Sequence, residues 1–373
     1  MIFDISDSGF KKIIAEEKLH LPIRWDGVDF STSLFSLFHS FLQQLEQYAC
    51  SDEKFPLNRV KETCGMINKA VEHYLNGFPS KSYDVFARLM SNLMETPLVV
   101  YRKSILEQLE GKTSRNDDDL QLFRVVSVQD NKPYGRMRVF HTPYTLRSKV
   151  STSRYSIAGY PSLYLGTSLA LCCEEIHLNP YKDYALASAF QIERNVALSN
   201  ASIRVIELGV KPQDFLETDK SNVLRNDNPG RAISADLLRD RKIRSTYLLW
   251  YPLIAASSFI RANKADPFAA EYIVPQLLMQ WIRSEMAINR PDGCAELIGI
   301  RYFSCASMKA SDMGFNYVFS TSGLRMSSDM PYCPVLAKSF RTTIPKYVHE
   351  YESIRACELA LKKDHDFDYI ISV

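Results

Sequence analysis

The sequence has 373 residues, 46% of them hydrophobic and 24% charged, which is the profile of a folded chain long enough for two domains. Lys and Arg number 45 against 43 Asp and Glu, and the resulting net charge of +2 gives no global reason to expect nucleic acid or an anionic membrane as a partner. Eight scattered cysteines with no C-x-x-C suit a reducing, cytoplasmic setting, and seven dispersed histidines with neither H-x-H nor H-E-x-x-H leave a metal site without support.

The first residues, MIFDISDSGFKKII, carry acids early with no apolar core behind them, so they do not read as a signal peptide. Residues 34–110 read as helices. LFSLFHSFLQQLEQYA and VKETCGMINKAVEHYLNGF both carry apolar residues at three- and four-residue spacing, and in the second Gly77 with Pro79 just beyond predicts a helix end. SYDVFARLMSNLME and YRKSILEQLE predict a third and a fourth helix, and the polar, acidic GKTSRNDDD at 111–119 predicts a linker.

Beyond the linker the period changes. LFRVVSV, SLYLG, IRVIELGV, ELIGIRYFS and NYVFS are short β-rich runs, with helical patterns between them at 167–176, 231–250 and 275–288. Strands and helices do not alternate as a doubly wound sheet requires, so α+β is the expected class. The basic RDRKIR at 239–244 lies in a helical pattern and reads as a solvated face. The most apolar run, 247–260, is interrupted by Pro252 and falls short of the roughly 20 residues of a membrane span. Neither G-x-x-x-x-G-K-[ST] nor G-x-G-x-x-G occurs, so a bound nucleotide would be held by side chains.

One segment, SRYSIAGYPSLYLGTSLALCCEE at 153–175, brings Arg154, Tyr164 and Glu175 close together. Thr167 or Ser168 can cap its helix, and Leu169, Cys172, Cys173 and Ile176 form an apolar stripe. At about 100° per residue Glu174 falls nearly opposite that stripe and Glu175 on its flank, half-turned toward the protein body. Taken singly, each residue has an ordinary reading: a structural ion pair for Glu175, a surface position for Arg154, strand packing for Tyr164.

Taken together with segments elsewhere, the pattern resembles the RES domain. LFR with Arg124, the Arg154 loop, Tyr164 ten residues on, Glu175 eleven further, EYIVPQLLMQWIR, IGIRYFS and NYVFS stand in the order of that family. Tyr155 and Ser156 depart from its usual Trp-Asn after the arginine. The resemblance implies an ADP-ribosyltransferase-like core at 120–325 with a helical insertion at about 211–268; outside it the helical pattern leaves an N-terminal domain at 1–112, and 326–373 is expected to be a C-terminal extension packing on the catalytic domain.

It further implies NAD as a substrate, with no separate cofactor, cleaved at the nicotinamide–ribose bond by hydrolysis or phosphorolysis. Glu175, Tyr164 and Arg154 are then catalytic. Arg124, Arg154, Tyr164, Ser304, Tyr302, His141 and Gln276 contact the dinucleotide. Structural readings stand beside these for His141, and core packing or helix surface for Tyr302 and Gln276. The expected role is a toxin or defence effector that depletes NAD and is restrained by an antitoxin or sensor protein. ADP-ribosyl transfer to a protein or nucleic acid, and a non-catalytic interaction module, are the alternatives. The N-terminal helices hold no titratable cluster and are expected to regulate or assemble a homo-oligomer.

Overall fold

The computed structural model describes residues 5–25, 27–49, 55–96, 100–101, 121–179, 183–192, 203–217, 241–288, 297–321 and 331–370. It is an α+β protein of two compact units: 1–99 with 209–225 and 233–281, and 100–208 with 226–232 and 282–373.

The first unit is helical. Helix Phe30–Ala49 buries Phe30, Leu34, Phe38, Phe41 and Leu45, the spacing that the sequence pattern predicts. Helix Leu57–Leu75 ends just before Gly77, whose φ of 81° is the left-handed turn that favours glycine, and Pro79 opens the next helix, Pro79–Met94. Helix Arg241–Ala256 packs on Leu57–Leu75 and is fixed along its length by three side-chain bonds. Tyr247 donates to the Val210 carbonyl (3.2 Å), Trp250 to Thr96 (2.8 Å) and Tyr251 to Leu19 (2.9 Å).

Helix Arg241–Ala256, which lies in the stretch 211–268 that reads along the chain as an insertion in the catalytic domain, therefore shares its core with the N-terminal helices. A chain beginning at Leu120 would remove Leu19, Thr96 and helix Leu57–Leu75 from around helix Arg241–Ala256. In the basic run, Lys242 is exposed, but Arg244 is buried, paired with Asp7 and laid 5.4 Å from the Phe10 ring centre. The solvated-face reading thus fails for Arg244, while 239 and 240 lie outside the described residues.

The second unit is built on a ten-stranded sheet: β1 (Val100–Tyr101), β2 (Gln121–Val128), β3 (Ser162–Gly166), β4 (Tyr184–Ile192), β5 (Ile203–Leu208), β6 (Leu297–Phe303), β7 (Phe315–Ser320), β8 (Phe340–Thr342), β9 (Lys346–Tyr347) and β10 (Asp368–Tyr369). The order is β1-β5-β6-β7-β3-β2-β4-β8-β10, with β9 on β4. The β5–β6 pair is parallel and the others are antiparallel. Tyr101, expected at the start of a fourth helix, is in β1; residues 102–120, with the acidic linker, lie outside the described residues.

Two sheet features position the site. Between β2 and β3 one residue pair, Phe123–Gly166, is in register, whereas β2–β4 pairs along its whole length. The centre of the sheet is therefore split beside β3. Helix Leu169–Glu175 packs over β2 and β4 through Leu169, Cys172 and Cys173, with Cys357 and Leu361 of helix Ile354–Lys362 completing that cluster. Residues from the C-terminal stretch thus build the sheet and cover it. Ile176, expected in the apolar stripe, is the helix C-cap and 44% exposed. Among the described residues six cysteines are buried thiols outside any disulfide. Among the described residues no helix is long and apolar enough to cross a membrane.

Candidate functional site

Strand parity assigns the two faces of the sheet. Asn316 on β7 is in register with Gly166 on one side and Tyr302 on the other, so this row shares a face with Tyr164, two residues from Gly166. The opposite face carries Arg301, which pairs with Glu207 at 2.8 Å and donates to the Tyr317 hydroxyl at 3.1 Å; both charged side chains are fully buried. That ion pair belongs to the core.

Helix Leu169–Glu175 brings Glu175 to the first face. Ser168 caps the helix by accepting the Leu171 amide at 3.2 Å. Gly166 allows the close approach, because a Cβ there would stand 2.8 Å from the Cys172 sulfur. At the end of the helix, Asn316 Nδ2 donates to Glu175 Oε1. Glu174 points the other way, its side chain 40% exposed and 3.9 Å from Lys309. The wheel reading of the two adjacent carboxylates is what the structure has.

Arg154 sits in a tight turn closed by two backbone bonds, Ser153 N to Ser156 O (2.8 Å) and Ser156 N to Ser153 O (3.1 Å). Both serine hydroxyls meet the Tyr164 hydroxyl, at 2.7 and 2.8 Å, and Ser156 donates onward to Ser162 at 2.9 Å. Tyr164 therefore holds both ends of the turn whose tip carries Arg154 and Tyr155. The Tyr155 ring is buried against that of Tyr302, with centroids 4.7 Å apart. Burial first, and then the Glu175 charge, push the Tyr302 hydroxyl well above its ordinary pKa. Burial does the same to Tyr155, while Arg154 opposes it. Both phenols stay protonated at neutral pH and can donate.

Arg124 takes a different place. Its Nη1 donates to the Tyr164 carbonyl at 2.9 Å, across the split where β2 and β3 stop pairing. Its Nε is buried without a hydrogen-bond partner, and burial lowers the guanidinium to a pKa of about 10. Ser304, fully buried beyond β6, accepts the Ala306 amide at 3.1 Å and so caps its own turn.

His141 is buried with both ring nitrogens engaged. Nε2 accepts the Cys333 amide at 2.9 Å, so Nδ1 carries the proton and donates to the Thr142 carbonyl at 2.8 Å. Burial brings its pKa down to about 4. It is a neutral structural histidine. Gln276 is buried on helix Ile273–Ile288, in the part of the chain that belongs to the helical unit.

Of the residues singled out in the sequence, Arg154, Tyr164, Glu175 and Tyr302 are thus brought together. Asn316, Tyr155, Ser153 and Ser156 complete the group and are not among the site residues expected from the sequence. Asn316 opens the NYVFS strand, and counting alternate residues back from Val318 puts it on the same face as that residue.

The chain is 22% identical over 352 residues to the Bacillus subtilis (strain 168) protein named "Putative toxin YopC", an alignment that covers 90% of this chain and 70% of that one. No family model and no solved structure matches the chain.

Proposed function

We propose that this chain is a toxin whose sheet unit is a RES-type enzyme that cleaves NAD at the nicotinamide–ribose bond. The observation that carries the reading is one carboxylate, Glu175, oriented by Asn316 on the sheet face that also carries Tyr164, the tyrosine strapped to the Arg154 turn. The similarity to a protein named as a toxin supports the coarser part of it.

In this reading Glu175 faces the positive charge that develops on the ribose as nicotinamide leaves, as carboxylates do in glycoside hydrolysis. Arg154 supplies a guanidinium fork for the pyrophosphate. Water or inorganic phosphate attacks the ribose carbon, the glycosidic C–N bond breaks, and nicotinamide departs with the bonding electron pair. Tyr155 and Tyr302, held neutral, wall the site and offer O–H donors. NAD is an intracellular metabolite, so the cytoplasm is the proposed place of action. An antitoxin or sensor protein would restrain it, and self-association is the proposed task of the helical unit.

The test is incubation of the full chain with NAD and chromatography of the products. Free nicotinamide with ADP-ribose, or with its 1-phosphate when phosphate is present, is the expected result. ADP-ribose bound to a macromolecule would instead give the transferase reading, and intact NAD with a folded protein would end the proposal.

A further inference from the structure

A second charged group lies at the other end of β3 from Glu175. Tyr160, two residues before the strand, has the Arg283 guanidinium 3.3 Å from its ring centre and accepts a hydrogen bond from Arg283 Nη2. Arg147, exposed, sits 5.6 Å from the same ring and 4.8 Å from the ring of Tyr144. Two guanidinium groups thus share one tyrosine.

Among the described residues neither cation meets a carboxylate. The surrounding sequence is unusual in the same sense: 131–173 contains Lys132, Arg136, Arg138, Arg147, Lys149 and Arg154 and no Asp or Glu. Lys132 and Arg136 are neutralised by Asp130 and Asp366 from outside this run, at 3.1 and 2.9 Å. Arg147 and Arg283 are not. The Arg283 Nε is moreover buried with no hydrogen-bond partner, a cost normally offset by an acceptor. Burial pulls the Arg283 pKa down to about 10, and the Arg147 charge pulls in the same direction. A bound anion would relieve both the repulsion and the missing bond.

We propose that Arg147 and Arg283, with Tyr144 and Tyr160, form a binding site for a nucleotide phosphate, the guanidinium groups taking the phosphate and the tyrosines offering a ring face to the base. Arginine beside tyrosine without acidic competitors is the combination by which proteins hold nucleotides and single strands. The site shares no residue with the Glu175 cluster and does not rest on NAD cleavage.

Titration calorimetry of the full chain with ADP, with inorganic phosphate and with a twelve-nucleotide single-stranded RNA tests this, since none of these contains the nicotinamide bond. Binding of ADP or RNA is expected, weaker at high salt, and weakened at least about tenfold by Arg147→Ala. Lys149→Ala, a neighbouring exposed cation, should change it less than about threefold. ADP binding without RNA binding identifies a free nucleotide as the ligand; tighter RNA binding identifies a strand. The proposal is overturned if neither probe binds, if inorganic phosphate binds as well as ADP, or if binding survives both Arg147→Ala and Arg283→Gln. Loss with Arg154→Ala alone would assign the nucleotide to the Glu175 cluster and overturn it too.

Discussion

Arg124 Nη1 donates to the main-chain carbonyl of Tyr164 at 2.9 Å, joining β2 to β3 where their ladder has ended. The arginine is a strut across the split in the sheet, and the Tyr164 it supports is the residue that straps the Arg154 turn. Arg124→Ala is expected to destabilise the sheet unit by about 1.5–3 kcal/mol, the worth of a hydrogen bond to a charged group. Denaturant unfolding followed by circular dichroism measures this; unchanged stability would leave the strut without a role.

Tyr164→Phe removes the hydroxyl that both turn serines share. The turn should loosen, with faster amide exchange at Ser153 and Ser156 and a higher KM for NAD. Ser153→Ala with Ser156→Ala should give the same change, and adding Tyr164→Phe to that pair should do little more, because all three act through one hydroxyl cluster. Additive losses would mean that Tyr164 acts independently of the turn.

Asn316 orients Glu175, so Asn316→Asp sets two like charges at hydrogen-bond distance and drives the carboxylates apart. NAD cleavage should fall on the order of a hundredfold, the usual penalty for a misplaced reacting group, with the fold retained. Wild-type turnover in this variant would show that the Asn316–Glu175 contact is irrelevant to activity.

His141 makes stability depend on pH. Its folded pKa of about 4 lies below the ordinary 6.5, so between those values the unfolded chain binds the proton more readily. The stabilisation is complete above pH 6.5 and is lost as pH falls toward 4, on the order of 3 kcal/mol across the window. Unfolding free energies at pH 7 and pH 5 should differ less in His141→Gln than in the wild type. An identical pH slope in the two would refute the assignment.

Several of these features were legible in the sequence. The α+β class followed from the change of period, and the contrast between Glu174 and Glu175 from helical geometry alone. Other features were hidden for physical reasons. β4, with its alanine-rich YALASAFQI, is buried over almost its whole length, so it lacks the alternation that marks a half-exposed strand. The helical unit is discontinuous: Trp250 bonds to Thr96 and Tyr251 to Leu19, contacts between segments far apart in sequence that no local pattern announces. Arg124 and His141 have side chains typical of substrate contacts, and only the partner atoms show that one bridges strands and the other locks a loop. Tyr155 and Ser156, which looked like departures from a motif, pack on Tyr302 and hold Tyr164.

The central claim is that Glu175, and not its neighbour, carries the chemistry. Purified wild type, Glu175→Gln and Glu174→Gln should be compared for NAD consumption at equal concentration, with circular dichroism confirming that all three are folded. Glutamine keeps the volume and removes the charge, so the account predicts that Glu175→Gln releases no nicotinamide while Glu174→Gln works at close to the wild-type rate. Nicotinamide release by Glu175→Gln at the wild-type rate would contradict it.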